Sequence, residues 1–224
     1  MFTRTTSRSK NSATGLPPKG SALDFHNRLI AKNGVEDATG FSDHGRRART
    51  QIIRGLLEQF GDPALKIVDY GCNDGQFYDQ VAGTAAYTGI DINPAFIKLA
   101  KKRYAATLAK FKLGNALTEE TNDWLLRHKP NVVIASGVLC YTASAYSYPE
   151  LVSRLYTCAT EALIFNVLVN TRPKDRAVYV WSKHKVLALI EACGCQSWQI
   201  IRSYLSNDMT VVMRKQLTHH RVAP

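Results

Sequence analysis

The stretch Lys66–Asp91, KIVDYGCNDGQFYDQVAGTAAYTGID, decides the fold. A short apolar run ends at Asp69, and a tight glycine turn, Gly71–Gly75, follows it. A helix-like segment then leads to a second short strand that ends at Asp91. This order of strand, glycine turn, helix, strand and acid is the front half of a nucleotide-type βαβ unit. An acid at the end of the second strand can accept two hydrogen bonds from ribose hydroxyls.

The spacing of the turn distinguishes it from a dinucleotide fingerprint. That fingerprint reads G-x-G-x-x-G because a pyrophosphate lies on the N-terminus of the following helix. Here the turn reads G-x-N-x-G, with an acid two residues before the first glycine. This pattern resembles motif I of the class I S-adenosylmethionine-dependent methyltransferases, D-x-G-C-G-x-G. Asn73 replaces the middle glycine, and we expect the turn to survive because asparagine tolerates the left-handed region best among non-glycine residues.

Strands and helices alternate along the rest of the chain. Residues 131–136, NVVIAS, are a continuous apolar run of the kind found in parallel strands that are buried on both faces. Asn93 and Pro94 supply an N-cap and a first-turn proline for a helix. Further strands are predicted at residues 109–113, 161–167, 198–204 and 209–213, and further helices at 25–32, 42–60, from Thr118, from Tyr148 and over 182–194.

The segment 41–215 as a whole resembles a class I methyltransferase. Within that superfamily it is similar to small bacterial and phage-encoded enzymes linked to polysaccharide or other small-molecule modification. The pieces that carry the resemblance are Gln51 with Arg54, VDYGCNDG, YTGIDINPAFI, FKLGNA, NVVIASGVLCY, LIFNVLVN and RSYLSNDMTVVMRK. The resemblance implies an α/β, Rossmann-like sheet of seven strands in the order 3-2-1-4-5-7-6. Strand 7 is then antiparallel, and helices cover both faces.

The resemblance also implies S-adenosylmethionine as the cofactor and a set of residues that bind it. The methionine part would be held by Asp69 and by the backbone of Gly71, Cys72, Asn73 and Gly75. Asp91 would bind the ribose, and Ile92 would pack on the face of the adenine. The adenine edge would contact Asn115 and Ala116, and Ser136 would lie beside the sulfonium. Asn115 holds the place of an acid, and its amide oxygen can accept from the exocyclic amine. The alternative for Asn115 is an ordinary turn residue.

Methyl transfer from a sulfonium mostly requires alignment of donor and acceptor, so the catalytic residue is unknown from sequence. Candidates on the acceptor side are Tyr141, Asn166, Tyr179, Trp181 and His184. Tyr141 and Asn166 follow strand ends and are expected to face the ligand crevice. His184 is a possible base, but its lysine-rich surroundings favour a surface position.

The end of the fourth strand narrows the substrate class. It reads Ser136-Gly137-Val138-Leu139, without the Asn/Asp-Pro-Pro-Tyr/Phe turn that is common in enzymes that methylate base or glutamine nitrogen. Cys140 lacks the preceding proline of a pyrimidine-C5 nucleophile, and we interpret it as a packing residue. An oxygen or nitrogen of a small molecule or sugar is therefore the expected acceptor. The alternatives are an RNA or DNA methyltransferase and a non-catalytic cofactor-binding protein.

The charge of the chain keeps nucleic acid open as a partner. The formal net charge is +11, and basic chains are drawn to polyanions. Part of the excess lies at the two ends, where it would only improve solubility. Within the arginine cluster we expect Arg46 and Arg47 to form a solvated face, and Arg54 to reach an anionic group, either the cofactor carboxylate or a substrate phosphate.

The remaining features indicate a cytoplasmic protein with one large domain. Residues 1–20 are predicted to be a disordered basic tail, with a transit peptide as the weaker alternative; residues 21–215 are the methyltransferase domain, with 21–62 as a helical segment, and 216–224 are a frayed end. No apolar run approaches the roughly 18 residues of a membrane helix. The five cysteines include no C-x-x-C pair, so reduced thiols and no metal site are expected. The sequence does not fix the oligomeric state.

Overall fold

The chain alternates strands and helices, as the sequence predicts. The structure is a computed structural model that describes residues 20–38, 40, 42–62, 64–172 and 176–216. The helices are α1 (Ala22–Asn33), α2 (Asp43–Glu58), α3 (Pro94–Arg103), α4 (Glu119–His128), α5 (Tyr148–Cys158) and α6 (Lys183–Ala192). The strands are β1 (Lys66–Tyr70), β2 (Ala86–Asp91), β3 (Lys110–Leu113), β4 (Val132–Ala135), β5 (Ala162–Leu168), β6 (Ser197–Ile201) and β7 (Asp208–Arg214).

The strands form one sheet whose order confirms the predicted fold class. Within the described part of the chain the sheet has seven strands in the order β3-β2-β1-β4-β5-β7-β6. The strands β1 to β5 pair with one another in parallel, and β7 is antiparallel to both β5 and β6. The carboxyl ends of β1, β2, β3, β4 and β5 therefore meet at one edge of the sheet, where ligands bind in open α/β folds.

The central strands are buried on both faces because successive side chains point to opposite sides of a sheet. In β4, Val132 and Ile134 pack with α2 and α3, whereas Val133 and Ala135 pack with α4, α5 and α6. The same alternation occurs in β1 at Ile67 and Val68. The continuous apolar runs of the sequence are thus explained by two separate cores, one on each side of the sheet.

The connection after the glycine turn differs from the predicted helix. Gln76–Gln80 forms a single 3-10 turn, and ordinary turns follow it. The crossover from β1 to β2 spans residues 71–85, and the glycine turn takes its first five residues. Gly75 and Gly83 both have positive φ, at 82° and 78°, and they confine any helix to the short segment between them. The predicted crossover is confirmed, whereas the helix predicted within it is wrong because glycines in left-handed conformations bound the segment on both sides.

The structure also shows the cap of α3 and the state of the five cysteines. Asn93 caps α3, and its side chain accepts a hydrogen bond from the backbone amide of Ala95. The five cysteines are free thiols, and four of them, including Cys140, are buried. Among the described residues no helix is long and apolar enough to cross a membrane, and no cluster of three metal-ligating side chains occurs. The predicted tails fall outside the described residues, apart from Gly20 and Gln216.

Replacement of Gly75 by alanine is expected to destabilise the fold more than replacement of Gly83. Both residues have positive φ, at 82° and 78°. A Cβ at Gly75 would lie 2.6 Å from Phe111, whereas a Cβ at Gly83 would meet nothing within 4 Å. The strain common to both should cost about 1–2 kcal/mol, and the overpacking at Gly75 about 1–3 kcal/mol more.

Urea unfolding of the two variants beside the unmodified protein measures this difference. Equal losses in the two variants would show that the packing of Phe111 against the turn contributes nothing to stability.

Candidate active site

A cavity of about 510 Å³ opens at the carboxyl edge of the sheet. Its floor comes from the segments that follow β1, β2, β3 and β4, and its walls come from α1, α2 and the start of α5. Cavities of this size hold small ligands and cofactors. Asp69 and Asp91, from neighbouring strands, both line it.

The glycine turn takes the strained shape that motif I requires. Gly71, Asn73 and Gly75 all have positive φ, and the φ of Asn73 is 54°. The prediction that asparagine can replace the middle glycine is therefore confirmed. A Cβ at Gly71 would lie 2.5 Å from the side chain of Val138, so the absence of a side chain at Gly71 lets the turn after β1 lie against the segment after β4.

The carboxylate of Asp91 joins the turn to the start of α3. Its Oδ2 accepts a hydrogen bond from the backbone amide of Asn73 at 2.9 Å, and its Oδ1 accepts one from the backbone amide of Asn93 at 2.8 Å. Each oxygen has a second lone pair that a ligand hydroxyl can use. Burial raises the pKa of Asp91 to about 6, although these backbone hydrogen bonds oppose the shift.

Asp69 is the second buried acid of the cavity. Its Oδ2 accepts a hydrogen bond from the hydroxyl of Tyr87 at 2.7 Å. Burial raises the pKa of Asp69 to about 7, the Tyr87 hydrogen bond opposes the shift, and the negative charge of Asp91 adds to it. The cavity thus holds two carboxyl groups that a cationic ligand would stabilise in their charged form.

Asn115 lines the cavity, but its oxygen is already used. Its Oδ1 accepts from the backbone amide of Leu117 at 3.0 Å and from the hydroxyl of Tyr70 at 3.3 Å. The backbone amide of Ala116 donates to the same Tyr70 hydroxyl at 3.2 Å. The amide nitrogen of Asn115, a donor, is therefore the group left for a ligand, in place of the acceptor that the sequence predicts.

Tyr141, which is buried, and His26, which is half-buried, are hydrogen-bonded to each other, and both line the cavity. His26 Nδ1 lies 2.8 Å from the carbonyl oxygen of Ala38, and Nε2 lies 2.8 Å from the Tyr141 hydroxyl. A carbonyl oxygen only accepts, so Nδ1 carries the proton of the neutral ring and Nε2 accepts from Tyr141. Burial lowers the pKa of His26, which keeps the ring neutral.

Most of the predicted site residues line this one cavity: Arg54, Asp69, Gly71, Cys72, Asn73, Asp91, Ile92, Asn115, Ser136 and Tyr141. They come from five segments that are distant in sequence. The glycine loop, the acid after β2 and the ends of the next two strands are therefore brought together as the sequence predicts.

Four predicted residues lie elsewhere. Gly75 packs against Phe111 behind the turn, and Ala116 is fully buried. Asn166 lies within β5 rather than at its end, and its side chain bridges the backbone amide of Gly137 and the carboxylate of Asp208. His184 is exposed on α6, away from the cavity.

The aromatic candidates Tyr179 and Trp181 do not line the cavity either, and their side chains pack against other aromatic rings. Trp181 Nε1 donates to the carbonyl oxygen of Leu139 at 2.6 Å, and both rings pack against Tyr148. They lie behind Tyr141 and hold it in place. The backbone amide of Tyr179 donates to the carbonyl oxygen of Cys140, the residue before Tyr141.

The sequence did not identify His26, Arg46 or Arg47 as cavity residues, although it did predict Arg54. His26 lies 115 residues before Tyr141, and no motif links them. Arg46 and Arg47 were expected on a solvated face, yet both line the cavity. The signal that could have found the arginines is their helical spacing with Gln51 and Arg54, because positions 47, 51 and 54 share one face of a helix.

The chain belongs to a methyltransferase family. The family model described as "Methyltransferase domain" matches residues 62–215, which is more than half of the chain. The protein is an S-adenosylmethionine-dependent methyltransferase, as the resemblance implied. None of the curated proteins matches the sequence.

Solved structures with the same fold include enzymes that act on different substrates. A magnesium protoporphyrin IX methyltransferase from Synechocystis PCC 6803, with bound S-adenosylmethionine, has a TM-score of 0.60 and 18% identity over 87% of this chain and 99% of its own. An S-adenosylmethionine-dependent methyltransferase from Leishmania major has a TM-score of 0.67 and 14% identity over 86% and 81%. The CurJ carbon methyltransferase has a TM-score of 0.65 and 11% identity over 83% and 59%. At these identities the likeness is one of fold.

The stability of the ligand-free protein is expected to fall as pH rises from about 4 to about 7. The pKa of Asp69 is about 7 in the folded protein and about 3.9 in an unfolded chain. The folded state therefore binds the proton more tightly, and its advantage is lost as pH rises through the folded pKa. Asp69→Asn, which keeps an acceptor for Tyr87, should remove much of this dependence.

Urea unfolding at about pH 5 and about pH 8 measures the effect, with Asp123→Asn on the exposed side of α4 as the matched control. If the free energy of unfolding of Asp69→Asn depends on pH as strongly as that of the control, Asp69 is not the origin of the pH dependence.

His26 is expected to be a neutral ring with its proton on Nδ1, and to protonate only below pH 6.5. The ¹⁵N chemical shifts of the two ring nitrogens, followed across a pH titration, report both the tautomer and the pKa. Tyr141→Phe removes the donor to Nε2 and should shift the resonance of that nitrogen while leaving Nδ1 protonated. A proton on Nε2 at neutral pH would contradict the hydrogen bonds described above.

Proposed function

We propose that the protein moves the methyl group of S-adenosylmethionine to an oxygen or nitrogen atom of a small molecule or sugar. The observation that carries the proposal is the cavity that brings Asp69, Asp91 and the glycine turn together with the Tyr141–His26 pair. The cofactor supplies an electrophilic methyl group on a sulfonium, and the chain has to align an acceptor with it.

The residues present fit this cofactor. Asp91 keeps lone pairs for two ribose hydroxyls, and Gly71 and Asn73 bring the glycine turn to the lining of the same cavity. Asp69, with Gly71, Cys72 and Asn73, would hold the amino-acid part. Ile92 would pack on the adenine, Asn115 would donate from its amide nitrogen to the ring, and Ser136 would lie near the sulfonium. Arg54 would pair with the cofactor carboxylate.

The hydrogen bond between Tyr141 and His26 supports an acceptor that loses a proton during methyl transfer. Because the Tyr141 hydroxyl donates to His26, its oxygen can accept a hydrogen bond from an acceptor O–H or N–H. As the acceptor atom attacks, its proton can pass to Tyr141 while the Tyr141 proton passes to His26 Nε2. The Nδ1–H bond to the Ala38 carbonyl stabilises the resulting imidazolium. Positioned proton transfer of this kind contributes roughly 10²–10⁴-fold to rate.

The alternatives receive less support from the site. Carbon methylation occurs on the same fold in the CurJ enzyme, but the proton-accepting pair suits a heteroatom better. An RNA or DNA acceptor is supported by the net charge of +11, whereas the concave cavity suits a small molecule. A purely non-catalytic role is disfavoured by membership of the enzyme family.

Asp91→Ala is expected to weaken binding of S-adenosylmethionine and S-adenosylhomocysteine at least about tenfold, because two charge-assisted hydrogen bonds to the ribose are lost. Isothermal titration calorimetry measures the dissociation constants of both ligands. Asp123→Asn, which removes an exposed acid far from the cavity, is the control and should bind as the unmodified protein does.

A labelled-methyl screen of sugars, nucleotide sugars and RNA then tests the acceptor class. Transfer to RNA and to no small molecule would overturn the proposal. Equal cofactor binding by Asp91→Ala and the unmodified protein would remove Asp91 from the cofactor site.

A further inference from the structure

One wall of the cavity is cationic, and a single helix forms it. Arg46, Arg47 and Arg54 on α2 line the cavity, together with Arg49, which is buried in an ion pair with Asp208. Arg54 lies eight residues after Arg46, which is about 12 Å along a helix axis. The arginines of α2 therefore reach two different ends of the same cavity.

The two ends have different neighbours. The helix α2 contacts the 3-10 turn Gln76–Gln80, which follows the glycine turn, and Arg54 lines the cavity together with residues of that 3-10 turn. At the other end, Arg49 lines a second, smaller cavity together with Cys140 and Tyr141. Arg46 and Arg47 precede Arg49 by less than one turn, so they belong to the end of the cavity where Tyr141 lies. In the proposed function this is the acceptor end.

The guanidinium groups at this end are available to a ligand. Arg46 pairs with Asp43 at 2.7 Å, but Asp43 is 68% exposed and the pair is of the i, i+3 type, which contributes only about 0.2–1 kcal/mol. Arg47 is exposed, and among the residues that the structure describes it makes no ion pair. A ligand anion can therefore replace these contacts at little cost.

The acids that line the cavity are already engaged in hydrogen bonds and an ion pair. Asp69 and Asp91 accept hydrogen bonds from Tyr87 and from backbone amides. Asp74, beside the glycine turn, is bound by Arg103 and by Gln76. No acid of the described cavity lining therefore neutralises the two arginines at the acceptor end.

We propose that Arg46 and Arg47 bind an anionic group, a phosphate or a carboxylate, that the methyl acceptor carries. The guanidinium fork matches the geometry of both groups. The inference rests on the proposed function, because it assigns the acceptor of the same cavity. Anchoring the acceptor by its charged group would hold its nucleophilic atom beside Tyr141 and the methyl donor, which is how binding energy is converted into alignment.

The test uses the full chain saturated with S-adenosylhomocysteine, so that the cofactor carboxylate already occupies its own partner. Sodium phosphate, and separately sodium acetate, are titrated at constant ionic strength and followed by ¹H–¹⁵N chemical shifts. We expect millimolar phosphate to bind this complex. The double variant Arg46→Gln/Arg47→Gln should bind phosphate about tenfold more weakly while its affinity for S-adenosylhomocysteine changes by less than about twofold. The acetate arm separates a phosphate from a carboxylate as the preferred group.

The matched control is Arg127→Gln, which removes the same charge from the exposed side of α4, outside the cavity. An equal loss in the control would show a nonspecific charge effect and overturn the inference, as would the absence of phosphate-induced shifts in the unmodified protein. Phosphate that is displaced by S-adenosylhomocysteine would belong to the cofactor carboxylate site, which also overturns it.

Two further outcomes distinguish this inference from a nucleic-acid acceptor and from a failure of the proposed function. A single-stranded oligonucleotide that binds far more tightly than phosphate, through the same two arginines, would replace the small anionic acceptor by a nucleic acid. Failure of S-adenosylhomocysteine to bind at all would overturn the proposed function. The phosphate titration, repeated on the ligand-free protein with the same variants, would then still decide whether Arg46 and Arg47 bind an anion.

Discussion

The carboxylate of Asp91 holds together the backbone segments that form the cofactor side of the cavity. It accepts one amide hydrogen bond from the turn after β1 and another from the N-cap of α3, while it belongs to the end of β2. The turn can take this position because Gly71 and Asn73 adopt positive φ and because Gly71 lets Val138 approach. The same carboxylate therefore ties these segments together and also lines the cavity with a lone pair left on each oxygen.

Burial disfavours the negatively charged forms of the two acids that line the cavity. Asp69 and Asp91 lie in neighbouring strands, and burial raises the pKa of each, to about 7 and about 6. Two acids held this way favour a cationic ligand, which stabilises their ionised forms. A sulfonium cofactor has the required charge. The arginines of α2 carry the opposite charge, so the lining of the cavity contains both acidic and basic groups.

The acceptor side is assembled from parts that are remote in sequence. α1 supplies His26, the segment after β4 supplies Tyr141, and α2 supplies the arginines. Tyr141 is held by hydrogen bonds between its backbone and the hydroxyl of Tyr148, and residues 176–181 pack behind it. The chemistry proposed for these residues depends on the tautomer of His26 and on the charge of α2.

The sequence by itself determined the order of the strands, the glycine turn with Asn73 at positive φ, and the two acids that line the cavity. These features are local, since each depends on residues that are close along the chain and on backbone preferences that a sequence shows directly. Only the tertiary structure decided that Asn166 and Trp181 are buried behind the site, that the Asn115 oxygen is occupied, and that His26 meets Tyr141. Those outcomes depend on which side chains compete for the same hydrogen bonds and the same space once distant segments pack together, and no local pattern records that competition.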